Sequence, residues 1–195
     1  MKMALSSRSA LKISTLALAV AAVSFSTTAV MAADGSTMAL AYGNQAMAGG
    51  TNDTVALGSQ ANAGMNSATA VGGQANAAGL GSTSIGWQSK ATAERAQAFG
   101  HLANASGMRS TAVGEAAAAQ GATSVAVGNK SMAGGMNSIA IGNEAKASKD
   151  NQVVLGNAGQ VQSSTAAQSG TVRIVTIDDN GTLGTMMVDY YQKAK

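Results

Sequence analysis

The chain has 195 residues, of which 24 are glycine and only six aromatic (one Trp, three Tyr, two Phe), with no proline and no cysteine. So few large side chains cannot fill an ordinary globular core, and the lack of cysteine excludes a disulfide scaffold, thiolate metal sites and a lipid-modified N-terminal cysteine. The formal charge of +3 arises at the N-terminus: without Lys2, Arg8 and Lys12, nine basic side chains face nine acidic ones, too even a balance for a nucleic-acid surface.

Basic residues up to Lys12 precede an apolar run from Ile13 to Val23, and Val30-Met31-Ala32 offers small residues at −3 and −1 of a peptidase site. This is the layout of an export signal over residues 1–32, with cleavage after Ala32 preferred to Ala33. The run is about half the roughly 20 residues that a membrane-spanning helix needs.

A repeat follows. Gly43, Gly58, Gly72, Gly86, Gly100, Gly114, Gly128, Gly142 and Gly156 recur at fourteen residues, the first interval being fifteen. With the glycine as position zero, −1 is always large and apolar: Tyr42, Leu57, Val71, Ile85, Phe99, Val113, Val127, Ile141 and Leu155. Position −2 is Ala except at Ser84 and Val154, +3 is Ala, Ser or Gly, and +5 is Ala except at Val161. Such self-similarity marks a solenoid. Fourteen is also two heptads, but the constrained positions lie two apart, which is the strand period, and glycine in every second helical turn would cost about 0.8–1 kcal/mol each time.

Two short strands per repeat are expected, at −4 to −1 and +3 to +6, with the glycines at corners. Coils stacked at about 4.8 Å would carry the array from Gly43 to Gly156 over on the order of 38 Å. The alanines at −2, +3 and +5 suit a narrow interior. The −1 residues have the opposite parity, so with −3 (Leu40, Val55, Val125, Ile139 and Val153 among them) they form an outward aliphatic stripe that identical chains would bury about a symmetry axis. The alternative places the −1 residues inside and the alanines outside. Leu57, Val71, Ile85, Phe99, Val113, Val127, Ile141 and Leu155 are the candidate oligomer interface. Gly114 and Gly128 are expected to reject valine, and Lys130, facing outward, to accept it.

The phrases SVAVGNKSMA, SIAIGNEAKA and STAVGEAAAA resemble the head repeats of YadA-like trimeric autotransporter adhesins, over roughly residues 38–160. The resemblance implies an all-β, left-handed parallel β-roll, assembled as a homotrimer and exposed at the cell surface or outer membrane. It implies attachment to matrix proteins, glycans or cell-surface receptors. A secreted matrix or surface-layer component is the alternative. No segment resembling the family's membrane barrel, neck or stalk follows the repeats. The head repeats are assigned to residues 33–161 and a polar linker to 162–170. Residues 171–195 form a cap, read as a β-hairpin around Asp178-Asp-Asn-Gly181.

Motifs for chemistry are absent. His101 occupies the variable position +1 without a catalytic partner. No glycine-rich stretch has phosphate-loop spacing, and only Asp53 and Asp150 lie near repeat turns, too few for a calcium-binding roll. No enzyme, metal or cofactor is expected. The candidate ligand surface is Trp87, Lys90, Lys130 and Lys146 at the variable positions. Trp87 is either a contact hot spot or packed over a neighbouring turn. Met47, Met65, Met108, Met132 and Met136 fall at strand ends or turns, where they suit gaps between chains.

Overall fold

The structure, a computed structural model, describes residues 30–31, 39–50, 52–170 and 173–187. It divides into two units, one ending at Asn157 and one from Ala158 onward. The expected export signal lies outside the described residues except for Val30–Met31.

The first unit is a parallel β-solenoid. Coils are numbered one to nine by their glycines, Gly43 to Gly156. Each contributes a strand at −3 to −1, such as Thr111–Val113 and Val125–Val127, extended by one residue in the first two coils (Ala39–Tyr42, Thr54–Leu57). These nine strands pair in parallel with a register shift of one repeat, as in Val125 with Ile139 and Val127 with Ile141. A second, eight-stranded sheet is built from two-residue strands at +4 and +5, from Met47–Ala48 to Lys146–Ala147. Val30–Met31 pairs antiparallel with Leu40–Ala41 at the edge of coil 1, so removal of an export signal after Ala32 would take this strand away.

Each inner coil is bonded to both neighbours. In coil 7, Gly128 N donates to Val113 O and Lys130 N to Glu115 O, both at 2.8 Å, while Val125 N and Met132 N donate to Ser138 O and Ala145 O of coil 8 at 2.9 and 2.8 Å. Two turns close each coil, as in Ser131 N to Gly128 O and Ser138 N to Gly135 O.

The interior is made almost wholly of methyl groups, since every buried hydrophobic residue among those described is alanine. Ala126, Ser131 and Ala133 at −2, +3 and +5 of coil 7 are fully buried, and so is Ser124 at −4, a fourth interior position the sequence pattern did not single out. The alanine core falls into two clusters, divided at coil 4, where Ser82, Ser84 and Ser89 stand inside. These hydroxyls satisfy one another and the corners: Ser84 and Ser89 lie 2.8 Å apart, Ser89 donates to Gly86 O and Ser82 to Gly79 O. The exceptional Ser84 at −2 is thereby matched across the coil by serine at +3.

The corner glycines need their lack of a side chain twice over. Gly43 through Gly142 in the series have φ between 124° and 134°, and a Cβ on Gly128 would stand 2.5 Å from Gly142 O of the next coil. The expectation for Lys130 fails, however. It is exposed, but it is the third residue of the turn and has φ of 52°, in the left-handed region that penalises β-branched side chains. The same conformation recurs at +2 in Gln45, Gln60, Gln74, Gln88, Leu102, Ala116 and Glu144, with no glycine to announce it.

The solenoid ends earlier than expected. After Val153–Leu155, coil 9 forms no second strand, and Ala158–Ala166 is an α-helix with no buried residue. Val161 lies exposed on this helix rather than inside a coil, and the expected polar linker 162–170 begins within it. Beyond it, Arg173–Ile177 and Leu183–Met187 form the expected antiparallel hairpin. Asp178 accepts hydrogen bonds from Thr182 N and, more weakly, Asn180 N, which hold its carboxyl below the usual range, and Gly181 supplies φ of 81°.

Gly128→Val and Lys130→Val should both lower the melting temperature. About 1–2 kcal/mol of left-handed strain is expected at 130 and more at 128, where backbone contact adds to it. Met132→Val, on an outward strand position, should leave the melting temperature close to that of the parent. Ser89→Ala strands the Ser84 hydroxyl and should cost about 1–3 kcal/mol in denaturant unfolding, and adding Ser84→Ala should restore much of the loss.

Candidate functional site

Two surfaces of the solenoid carry the side chains that could meet a partner. The first is the outward face of the nine-coil sheet. Parity settles which side chains it displays: with the −2 alanines fully buried, the −1 residues point outward, and the alternative that put them inside is overturned. Ile85, Ile141 and Leu155 are 39%, 43% and 60% exposed in the single chain, while Leu57, Val71, Phe99, Val113 and Val127 are half-buried between neighbouring coils. Position −3 adds aliphatics at both ends of the array and polar Thr69, Thr83, Gln97 and Thr111 in the middle.

The second surface is the corner at +1 and +2. Because the coils repeat without offset, equivalent side chains stand directly over one another. Gln60, Gln74 and Gln88 each donate from Nε2 to the Oε1 of the glutamine one coil earlier, beginning at Gln45. At +1 the Trp87 and His101 rings stack with centroids 5.0 Å apart and planes 13° from parallel. His101 Nδ1 lies 3.7 Å from Glu115 Oε1, and Asn129 Nδ2 donates to Glu115 Oε2. The four candidate ligand residues do not come together. Trp87 and Lys130 share the corner but sit three coils apart, and Lys90 and Lys146 lie at +4 on the second sheet, four coils apart. The continuous Trp87–His101–Glu115–Asn129 column was missed in the sequence. Its signal was available: polar and aromatic residues recurring fourteen apart at one position of the coil.

Chemistry is not concentrated anywhere on these surfaces. Among the described residues no three His, Asp, Glu or Cys side chains cluster as metal ligands. Asp150 is engaged with Met136 N of the preceding coil at 2.8 Å. Among the described residues no helix is long and apolar enough to cross a membrane, which says nothing of a β-barrel. Met47, Met65, Met108, Met132 and Met136 are all exposed in the single chain.

The family comparison agrees with this geometry. The family model described as the YadA head domain repeat, in two copies, matches six overlapping stretches from 63–89 to 133–157, each displaced by one coil. Residues 63–157 are YadA-like head repeats. No curated protein matches the chain. Among solved structures it is similar to the collagen-binding domain of the Yersinia adhesin YadA, with 24% identity, a TM-score of 0.45, and coverage of 65% of this chain and 75% of that one. The head-repeat match ends at Asn157, where the solenoid gives way to helix.

His101 shields one face of the sole tryptophan. His101→Ala should therefore raise the acrylamide quenching of Trp87 emission while circular dichroism stays unchanged, because both residues lie outside the coil interior.

Proposed function

We propose that this chain is an exported, non-enzymatic adhesin head that attaches a bacterial cell to host matrix, cells or surfaces as a homotrimer. The observation that carries the reading is the outward aliphatic stripe. The coil interior is complete without these side chains, and a run of −1 residues from Tyr42 to Leu155 is a large apolar surface for a lone soluble chain to leave wet. Identical stripes related by a rotation axis cover one another without any further component. Membership of residues 63–157 in the YadA head repeats supports the same assembly and an adhesive role at the cell surface. Adhesion suits a surface of this kind, since weak contacts repeated on each coil and on three chains are multiplied by effective concentration.

In this reading the leader exports the chain, and Leu57, Val71, Ile85, Phe99, Val113, Val127, Ile141 and Leu155 form the shared axis. Residues 171–195, which carry the hairpin, are the C-terminal cap segment. Extracellular matrix proteins, glycans and cell-surface receptors are the partners.

Light scattering of the exported chain should give three times the chain mass. Val113→Asp with Val127→Asp would place six carboxylates on the axis, unpaired and out of water, and should abolish the trimer. Loss of trimer in this variant should be accompanied by at least tenfold weaker attachment to matrix-coated or cell-coated surfaces. A parent protein that remains a folded monomer overturns the proposed assembly. A trimer that binds no matrix protein, glycan or cell overturns the adhesive role.

A further inference from the structure

The solenoid holds two arginines, and they stand one above the other. Arg95 and Arg109 occupy position +9 of coils 4 and 5. Both are exposed, and both take the left-handed φ of that corner, 54° and 56°. Arg95 N donates to Leu80 O at 2.8 Å and Arg109 N to Glu94 O at 2.9 Å, so backbone bonds stack these corners. The two side chains therefore leave the solenoid about 4.8 Å apart. The same column holds Ser67, Gly81, Thr123, Asn137 and Asn151, none of them charged. Negative charge around the pair is sparse. Glu94 lies 3.8 Å from Arg95, but both side chains are well exposed, so this ion pair is weak. Arg109 has no carboxylate within ion-pair distance among the described residues. Coils 2 and 3 carry no charged side chain, and coil 6 carries only Glu115, on the opposite corner. Lys90, exposed at +4 of coil 4, adds a third cation on the sheet that leads into this corner. Chain length keeps it within about 18 Å of Arg95. That sheet lies across the coil from the aliphatic stripe, so a trimer built on the stripe leaves Lys90 in water.

We propose that Arg95 and Arg109 bind a sulfate group of a sulfated polysaccharide, an inference that rests on the adhesive reading and gives it a ligand class. Each guanidinium presents a planar fork of N–H donors, and two stacked forks supply enough donors for one tetrahedral oxyanion. The bound anion also replaces the mutual repulsion of the two cations with attraction. Lys90, as a point charge farther along the surface, suits a second anionic group of the same linear chain. Its neighbours in the sheet, Asn76 and Asn104, are uncharged amides that suit sugar hydroxyls. A nucleic acid is a poorer fit. Between residues 39 and 157 six basic side chains face five acidic ones, and no basic stripe follows a phosphate backbone. A broad acidic protein face would desolvate those amides without supplying a partner for each. Three chains present the arginine pair three times, which suits a ligand that repeats its charge along its length.

The test passes the full exported chain over immobilised heparin at about physiological ionic strength, with heparin, chemically desulfated heparin and hyaluronan as soluble competitors. The parent should bind, heparin should displace it, and the two polymers without sulfate should compete at least tenfold less well. Arg95→Gln with Arg109→Gln should weaken binding at least tenfold, with oligomeric mass and circular dichroism unchanged. Glutamine is suited to this backbone, since Gln45, Gln60, Gln74 and Gln88 hold the same left-handed conformation at +2. Glu94→Gln, which frees Arg95 from its carboxylate, should tighten binding two- to threefold. Lys130→Gln, on the opposite corner, should change it less than twofold. The proposal is overturned if the parent does not bind heparin, if the double variant binds as tightly as the parent, or if either polymer without sulfate competes as well as heparin. Adhesion of the parent to a matrix protein stripped of glycans, scored in parallel, separates these outcomes from failure of the adhesive role itself.

Discussion

Each inner coil exchanges backbone hydrogen bonds with the coil before it and the coil after it, and the register of that exchange is one repeat, fourteen residues after the first coil. The pairing of Val125 with Ile139 and Ile141 with Leu155 repeats along the array, as do the corner bonds from each +2 amide to the preceding +1 carbonyl. The spacing between coils is therefore that of adjacent strands, about 4.8 Å, and everything in the interior must fit beneath it. Alanine and serine fit. A buried methyl contributes only about 0.8 kcal/mol, well below a buried leucine, so stability accrues by adding coils rather than by filling one core.

The same ladder explains why left-handed corners can be occupied by lysine, glutamine or glutamate. Lys130 N is bonded to Glu115 O and Glu144 N to Asn129 O, so the turn is fixed from the neighbouring coil as well as from its own sequence. Strain of this kind persists where the surroundings over-determine it. At position zero the constraint is steric as well as torsional, and only glycine lets successive corners approach so closely.

Strict stacking also organises the surface. Side chains at one position form columns, and a column acquires properties that no single residue has: an amide ladder from Gln45 to Gln88, a ring stack at Trp87 and His101, and an indole packed over Gly73. The outward aliphatic stripe is the longest such column. It belongs to the face whose alternate residues close the interior, so the solenoid and its apolar surface come from one pattern of alternation.

That alternation was legible in the sequence by itself. Glycine at fourteen fixed the coil, small residues at −2, +3 and +5 fixed its inside, and opposite parity put Val113 and Val127 outside. The Asn-Gly turn likewise announced the hairpin of Arg173–Ile177 with Leu183–Met187. Other features depend on what lies above and below a residue rather than beside it in the chain. The left-handed Lys130, the Ser84–Ser89 pair and the sheltered face of Trp87 arise only when residues on opposite sides of a coil, or on different coils, are brought to within a few ångströms. The helix Ala158–Ala166 stands where a second strand of coil 9 was expected: Val161 holds the +5 position that is alanine in every earlier coil, and a helix satisfies its backbone within itself.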